Sequence, residues 1–202
     1  VSKNMNATYL LKGILKKLSL FLILLLSTVS SLFASGDTLR NSSIHHQLEF
    51  NIARGYLFQT TEFFKGANTM GKAMDKSSSY HLKYGFRFSE DSYFGRLYPH
   101  TYQGIGVSLF DFYNNTDLGR PISIYLYQGS PIVILGRSLS LDYEWNFGAS
   151  FGWKQYDKYK NPYNTVVGSR VNAYVNLGLY LNWQLSSAIK FKVGADASHF
   201  SN

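Results

Sequence analysis

The last residues of the sequence include a general base and a nucleophile two positions apart. His199 and Ser201 continue a stretch in which apolar residues alternate with polar or small ones from Ile189 onward. Because residues two apart on a β-strand share a face, an imidazole at position 199 can accept a proton from a hydroxyl at position 201. The spacing is that of a serine-hydrolase pair. It also fits two ordinary polar residues at the rim of a sheet, which is the commoner case.

The phase of this segment predicts which face carries the two side chains. His199 and Ser201 fall in phase with Phe191, Val193, Ala195 and Ala197, whereas Asp196 and Ser198 fall on the opposite face. If the strand crosses a membrane, its apolar face contacts lipid, where ionisable residues are rare and usually functional. We therefore expect any chemistry of this pair to take place on the outer wall of the fold.

Two longer segments show the same two-residue period without exception. All odd positions from 139 to 153 are apolar, and so are all odd positions from 171 to 185. This alternation predicts two strands with one apolar face each, outward at these odd positions. Soluble strands usually have about 5–6 residues, whereas about 9–11 tilted residues cross a bilayer.

Weaker alternation predicts five further strands, around Leu48, Tyr80, Ile105, Ile122 and Ile189. A phase shift across residues 128–131 indicates a β-bulge.

Seven successive strands without a helical pattern between them predict an all-β fold, an antiparallel up-and-down outer-membrane β-barrel. Bacterial barrels of this kind have an even number of strands, because only closure satisfies every strand edge in lipid. We therefore expect eight strands in the intact protein, about seven of them in this chain, and a C-terminal truncation that removes the eighth. A soluble β-sandwich is the alternative fold, although it needs neither strands this long nor an opposite face this polar.

The first 34 residues have the pattern of a targeting segment. Lysines at positions 12, 16 and 17 precede a mostly apolar run over residues 18–33, which ends in the small residues Ala34 and Ser35. This pattern predicts a secretory signal peptide over residues 1–34. This apolar run is shorter than a membrane-spanning helix, which needs about 20 residues. Residues 35–202 are then expected to form one barrel domain, located in the bacterial outer membrane and incomplete at its C-terminus.

The composition excludes several functional classes. The chain has no cysteine, which removes disulfide scaffolds, cysteine-ligated zinc, iron–sulfur clusters and a thiol nucleophile. The net charge is +8, but four of the basic residues and no acidic residue lie in the first 34 positions. The remaining charge does not require a polyanion, so nucleic acid is not an expected partner. No metal or cofactor is expected either, because the adjacent His45 and His46 would face opposite sides of a strand.

The segment His199-Phe200-Ser201-Asn202 ends an alternating strand in a signal-bearing barrel pattern. It resembles the His-aromatic-Ser-Asn motif of the PagL-type lipid A 3-O-deacylases, a group of acyloxyacyl hydrolases. The resemblance implies an eight-stranded outer-membrane barrel that hydrolyses an ester-linked acyl chain of lipid A, with its active site on the lipid-facing wall. It also implies that His199 is the base, that Ser201 is the nucleophile and that Asn202 supports the site.

The same resemblance implies a third catalytic residue, a glutamate that orients the histidine and lies downstream of the motif, beyond Asn202. No substitute is evident in the sequence, since Asp142, Glu144 and Asp196 all fall on the inward phase of their strands. We expect the partners to be lipopolysaccharide and outer-membrane lipid. The sequence leaves open whether the barrel forms a homodimer and which acyl chain it removes.

One loop of the predicted barrel is basic, with Lys154, Lys158, Lys160 and Arg170 in or beside residues 155–168. These residues fit either a solvated loop or contacts with the phosphates of lipopolysaccharide. The alternative function for the whole chain is a small non-catalytic outer-membrane barrel with a structural, adhesion or recognition role.

Overall fold

Seven antiparallel strands make up most of the structure, a computed structural model that describes residues 44–201. The predicted signal peptide at residues 1–34 and Asn202 lie outside the described residues. Strand order in the sheet follows the sequence, which is the topology of an up-and-down barrel. The strands are β1 Ile44–Tyr56, β2 Lys76–Phe88, β3 Tyr102–Asp111, β4 Gly119–Ile134, β5 Leu139–Trp153, β6 Val171–Gln184 and β7 Lys190–Ser201.

The predicted all-β class and the seven strands are confirmed. The described residues contain two short helices, α1 Glu62–Lys65 and α2 Tyr93–Leu97, both in connections between strands. Neither these nor any other helix within residues 44–201 has the length and apolar character needed to cross a membrane. The two-residue period of the sequence appears directly in β6, where exposed and buried residues alternate from Val171 to Asn182.

The sheet curls so that its polar face is enclosed. The Nζ atom of Lys192 on β7 lies 3.0 Å from Oε1 of Glu49 on β1, although these two strands do not pair with each other in the described sheet. The convex face carries large apolar side chains, among which Leu177 is 60% and Phe147 57% exposed. The concave face therefore carries charged and amide side chains together with aromatic rings, whereas the convex face is apolar, the reverse of a water-soluble domain.

Two bulges interrupt the pairing of β4 with β5. A register shift between Pro131 and Val133 confirms the bulge predicted from the phase shift in β4. The second shift lies at the other end of the same pair, next to Gly152, whose φ is +85°. Beyond this glycine Trp153 is only 7% exposed. The prediction that every odd position from 139 to 153 faces outward is therefore wrong at 153, because the left-handed glycine reverses the phase.

The connections at one end of the sheet form a packed cap. Residues 57–75, 112–118 and 154–170 meet at this end, and the buried Asp117 joins all three. Its carboxylate accepts hydrogen bonds from the Thr69 backbone N–H at 3.0 Å and from Nδ2 of Asn114 at 2.7 Å. Its backbone carbonyl accepts from Nδ2 of Asn164 at 2.8 Å. The apolar part of the cap is formed by Phe63, Met74, Leu118 and Val167.

Candidate functional site

His199 and Ser201 lie near the end of β7, beside the packed cap. His199 pairs with Val175 of β6, and Ser201 pairs with Ala173. Directly opposed residues in an antiparallel pair project to the same side, and Val175 is an exposed residue of the convex face. The structure therefore places both side chains on the outer face, in agreement with the phase of the sequence.

The wall around the pair is apolar. Next to Val175 and Ala173 along the sheet come Phe147 and Ala149 of β5, while Ala197 precedes His199 on the same face of β7. Within residues 44–201, no hydrogen bond joins the imidazole of His199 to the hydroxyl of Ser201. The base and the hydroxyl group are thus exposed on the convex face. The described part of this wall contains no third polar partner for them.

Phe200 lies between the two residues and projects to the opposite side. Its ring contacts four aromatic rings on the concave side, with centroid distances of 4.9 Å to Trp153, 5.0 Å to Phe110, 5.3 Å to Tyr174 and 6.0 Å to Phe112. We call these four rings the aromatic socket. The aromatic socket holds Phe200, the residue between His199 and Ser201, in place. The spacing of the motif does not indicate the socket.

The acidic residues of the neighbouring strands are engaged on the concave side. Asp142 accepts a hydrogen bond from Nδ2 of Asn182 at 2.6 Å, and Asp196 accepts one from Nδ2 of Asn176 at 2.8 Å. Glu144 contacts two lysines in the interior. All three carboxylates therefore lie across the wall from His199, as their phase predicts, and none of them can orient its imidazole.

A group of four charges occupies the interior. Lys83 and Lys192 each contact both Glu49 and Glu144. Lys83 Nζ lies 3.5 Å from Glu49 Oε1, and Lys192 Nζ lies 3.0 Å from the same oxygen. We call these four residues the interior charge cluster. Its charges balance, and its contacts cross-link β1, β2, β5 and β7, so its evident role is to hold the curled sheet together.

The sequence analysis did not identify the interior charge cluster. Its signal was present as two lysines and two glutamates on the inward phase of four strands. The curl of the sheet is needed to bring them together, because Lys192 and Glu49 are 143 positions apart.

The adjacent histidines near the start of β1 have no metal-binding geometry. Nδ1 of His46 lies 2.8 Å from the hydroxyl of Tyr84, and the two rings stack with centroids 5.9 Å apart. In the part of the chain that the structure describes, no group of three or more histidine, aspartate or glutamate residues could hold a metal ion.

The basic residues of the loop between β5 and β6 differ in their roles. Nζ of Lys154 donates to the backbone carbonyl of Thr116 at 3.1 Å and so ties two loops together. Lys158, Lys160 and Arg170 are exposed at the same end of the sheet. The loop has a defined turn at Asp157, whose carboxylate accepts hydrogen bonds from the backbone N–H groups of Lys160 and Tyr159, and these bonds lower the pKa of Asp157.

Comparison of the chain with protein-family models, with curated proteins and with solved structures gives no match. The assignment of a function therefore depends on the four-residue motif at positions 199–202 and on the geometry of the wall that carries it.

Proposed function

We propose that the protein is an outer-membrane serine esterase that hydrolyses an ester-linked acyl chain of lipid A, at the 3-O position. The observation that carries this proposal is the location of His199 and Ser201 together on an exposed apolar wall. Lipid A presents its acyl esters from within the membrane. A nucleophile that attacks them must therefore face lipid rather than the barrel interior.

The membrane location is supported by the distribution of polarity across the sheet. The convex face is apolar over several strands, whereas charged and amide side chains are buried on the concave face. The strands have 10 to 16 residues, enough to cross a bilayer at the usual tilt. In water, such a wall would expose a contiguous apolar patch far larger than those of monomeric soluble proteins.

The chemistry assigned to the pair is acyl transfer to serine. Oγ of Ser201 attacks the carbonyl carbon of the ester, while His199 takes the hydroxyl proton. The tetrahedral intermediate collapses, the sugar oxygen leaves with the proton from His199, and the acyl chain remains on Ser201. Water, deprotonated by His199, then attacks the acyl-serine and releases a fatty acid. The resemblance assigns a supporting role to Asn202 and the orientation of His199 to a glutamate.

The substrate also carries phosphate groups, for which the loop between β5 and β6 offers partners. Lys158, Lys160 and Arg170 are exposed at the end of the sheet where the Ser–His pair lies. Charge-assisted hydrogen bonds from such side chains to phosphate oxygens would orient lipopolysaccharide with its acyl region against the wall.

The test is mass spectrometry of lipid A from cells that make the full-length protein or its variants. His199→Ala, Ser201→Ala and the double variant should each lose activity to a similar extent, on the order of 10³-fold or more, because residues that act as one unit are not additive. Ser198→Ala is the matched control, since this hydroxyl lies on the concave side, where it accepts from Nδ2 of Asn176 at 2.9 Å.

Activity is normalised to the amount of folded barrel, measured as the heat-modifiable band in detergent. Ser198→Ala should retain the parent activity. If Ser201→Ala releases the acyl chain at the parent rate, the proposal is wrong and the non-catalytic barrel becomes the better assignment.

A further inference from the structure

A cluster of aromatic rings lies directly behind the Ser–His pair. Trp153 is one of its members. Its ring lies 4.9 Å from Phe200 in an edge-on arrangement and stacks 5.4 Å from Phe112. Nε1 of the indole donates to Oγ of Ser150 at 2.9 Å, which fixes the orientation of the ring. The side chain is thus held on one side by a hydrogen bond and on two others by rings.

Trp153 reaches this position only because the strand pattern is broken. Regular alternation would place it on the outer wall in phase with Phe151, which is exposed. Two glycines with positive φ lie at the bulge that turns it inward, Gly152 at +85° and Gly119 at +79°, the latter paired with Trp153. A Cβ atom on Gly119 would lie 2.8 Å from the carbonyl oxygen of Gly152. The close approach of the two strands at this point therefore requires glycine.

The position of Phe200 determines where the two reacting groups stand. His199 and Ser201 flank it on the same strand, so any sliding or rotation of the backbone at Phe200 moves both of them. β7 pairs with β6 alone in the described sheet, and at this end Phe200 holds it to the concave side through contacts with four rings. Misplacement of reacting groups by about 1 Å can cost about 100-fold in rate.

We propose that Trp153 is a positioning residue for the Ser–His pair, and that the bulge at Gly152 serves to bring its ring against Phe200. β-bulges are over-represented beside active sites, where they redirect a side chain. The proposal rests on the proposed function, and it adds that catalytic rate depends on a residue on the far side of the wall from the substrate.

The experiment is steady-state hydrolysis of purified lipopolysaccharide by the full-length protein in detergent micelles. Trp153→Leu should lower kcat by about 10- to 100-fold and leave KM close to the parent value, because the outer wall that binds the acyl chain is unchanged. Trp153→Phe should restore most of the rate, since a ring again contacts Phe200. Trp183→Leu is the matched control: the same change at an exposed tryptophan, but at the end of β6 remote from the residues that pair with His199 and Ser201.

Phe112→Leu provides a second route to the same effect, because it removes the ring that stacks on Trp153. It should lower kcat in the same direction, and the double variant with Trp153→Leu should lose less than the product of the two single effects. If Trp153→Leu does not fold, Trp153→Phe and Phe112→Leu carry the test. All variants are compared per folded barrel.

The proposal is overturned if the folded socket variants keep the parent kcat, or if Trp183→Leu lowers kcat as much as they do. Ser201→Ala is measured in the same assay and separates the two levels of the account. If Ser201→Ala keeps the parent kcat, the proposed function itself fails. If Ser201→Ala abolishes activity while the socket variants do not change it, only the role of Trp153 is refuted.

Discussion

The interior charge cluster and the Ser–His pair lie on opposite faces of the same wall and differ in whether they have polar partners. On the concave face, the four members of the interior charge cluster are largely buried, and each contacts two residues of opposite charge. On the convex face, His199 and Ser201 stand among apolar residues and do not bond to each other. The buried charges of this cluster are paired, because an unpaired one in an apolar medium costs several kcal/mol. An unpaired base and hydroxyl on the apolar face are therefore the candidates for chemistry.

A single strand, β7, contributes side chains to both faces. In β7, Lys192 and Asp196 contribute to the polar interior, and Phe200 fills the aromatic socket. The residues of the opposite phase, at the odd positions of β7, form the outer wall. Stability is thus provided by one phase of the strand and the proposed reactivity by the other, so substitutions on the two phases should have separable effects.

The largest expected effect is on stability and comes from the concave face. Glu144→Gln leaves Lys83 and Lys192 with Glu49 as their only carboxylate partner within the interior charge cluster. Removal of one partner from a buried ion pair typically costs about 3–5 kcal/mol, and we expect this loss in the free energy of unfolding. It is measured by urea titration in liposomes with tryptophan fluorescence.

The control for this prediction is Glu62→Gln in the exposed pair with Lys65, whose charged atoms lie 2.8 Å apart. Exposed pairs contribute about 0–1 kcal/mol, so this variant should unfold close to the parent midpoint. Equal losses in the two variants would show that the interior charge cluster is solvated, and the contrast between the two faces would disappear.

A somewhat smaller effect is expected on the convex face. Leu177→Arg introduces a charge near the middle of β6, and on a lipid-facing strand such a change costs about 2–4 kcal/mol near the bilayer midplane. If the wall faces water instead, a substitution at a residue that is 60% exposed should stay within about 0.5 kcal/mol. Refolding equilibria in liposomes distinguish the two cases.

Tyr159→Arg is the control for Leu177→Arg, because Tyr159 is 86% exposed but lies in the loop between β5 and β6. It should leave the unfolding free energy unchanged. A loss for Leu177→Arg alone sharpens the assignment of the convex face to lipid, whereas parent-like stability of both variants would favour a water-exposed wall.

The strands were predictable from the sequence because their signal is local. In β5 and β6 the alternation of apolar and polar residues sets the inward and outward faces directly. The bulge at Gly152 was not predictable in this way, because Phe151 and Trp153 are both apolar. Their pattern is the same whether Trp153 faces outward or inward. The direction of Trp153 depends on a glycine with positive φ, and the alternation of apolar and polar residues contains no information about that backbone angle.

The candidate site was predictable in part for the same reason. The shared face of His199 and Ser201 follows from strand phase, whereas the aromatic socket does not. Phe110, Phe112 and Tyr174 meet Phe200 only after the sheet has curled, and their separation along the chain leaves no periodic signal. The third catalytic residue that the resemblance implies remains a prediction.

The central claim, that Ser201 is a nucleophile on the outer wall activated by His199, is tested most directly by covalent labelling. A fluorophosphonate probe with a long alkyl chain is added to outer-membrane vesicles that contain the full-length protein, and the adduct is located by peptide mass spectrometry. The account predicts one adduct, on Ser201, that His199→Ala abolishes and Ser198→Ala does not. Absence of label on Ser201 in the folded parent protein, or equal labelling in His199→Ala, would contradict it.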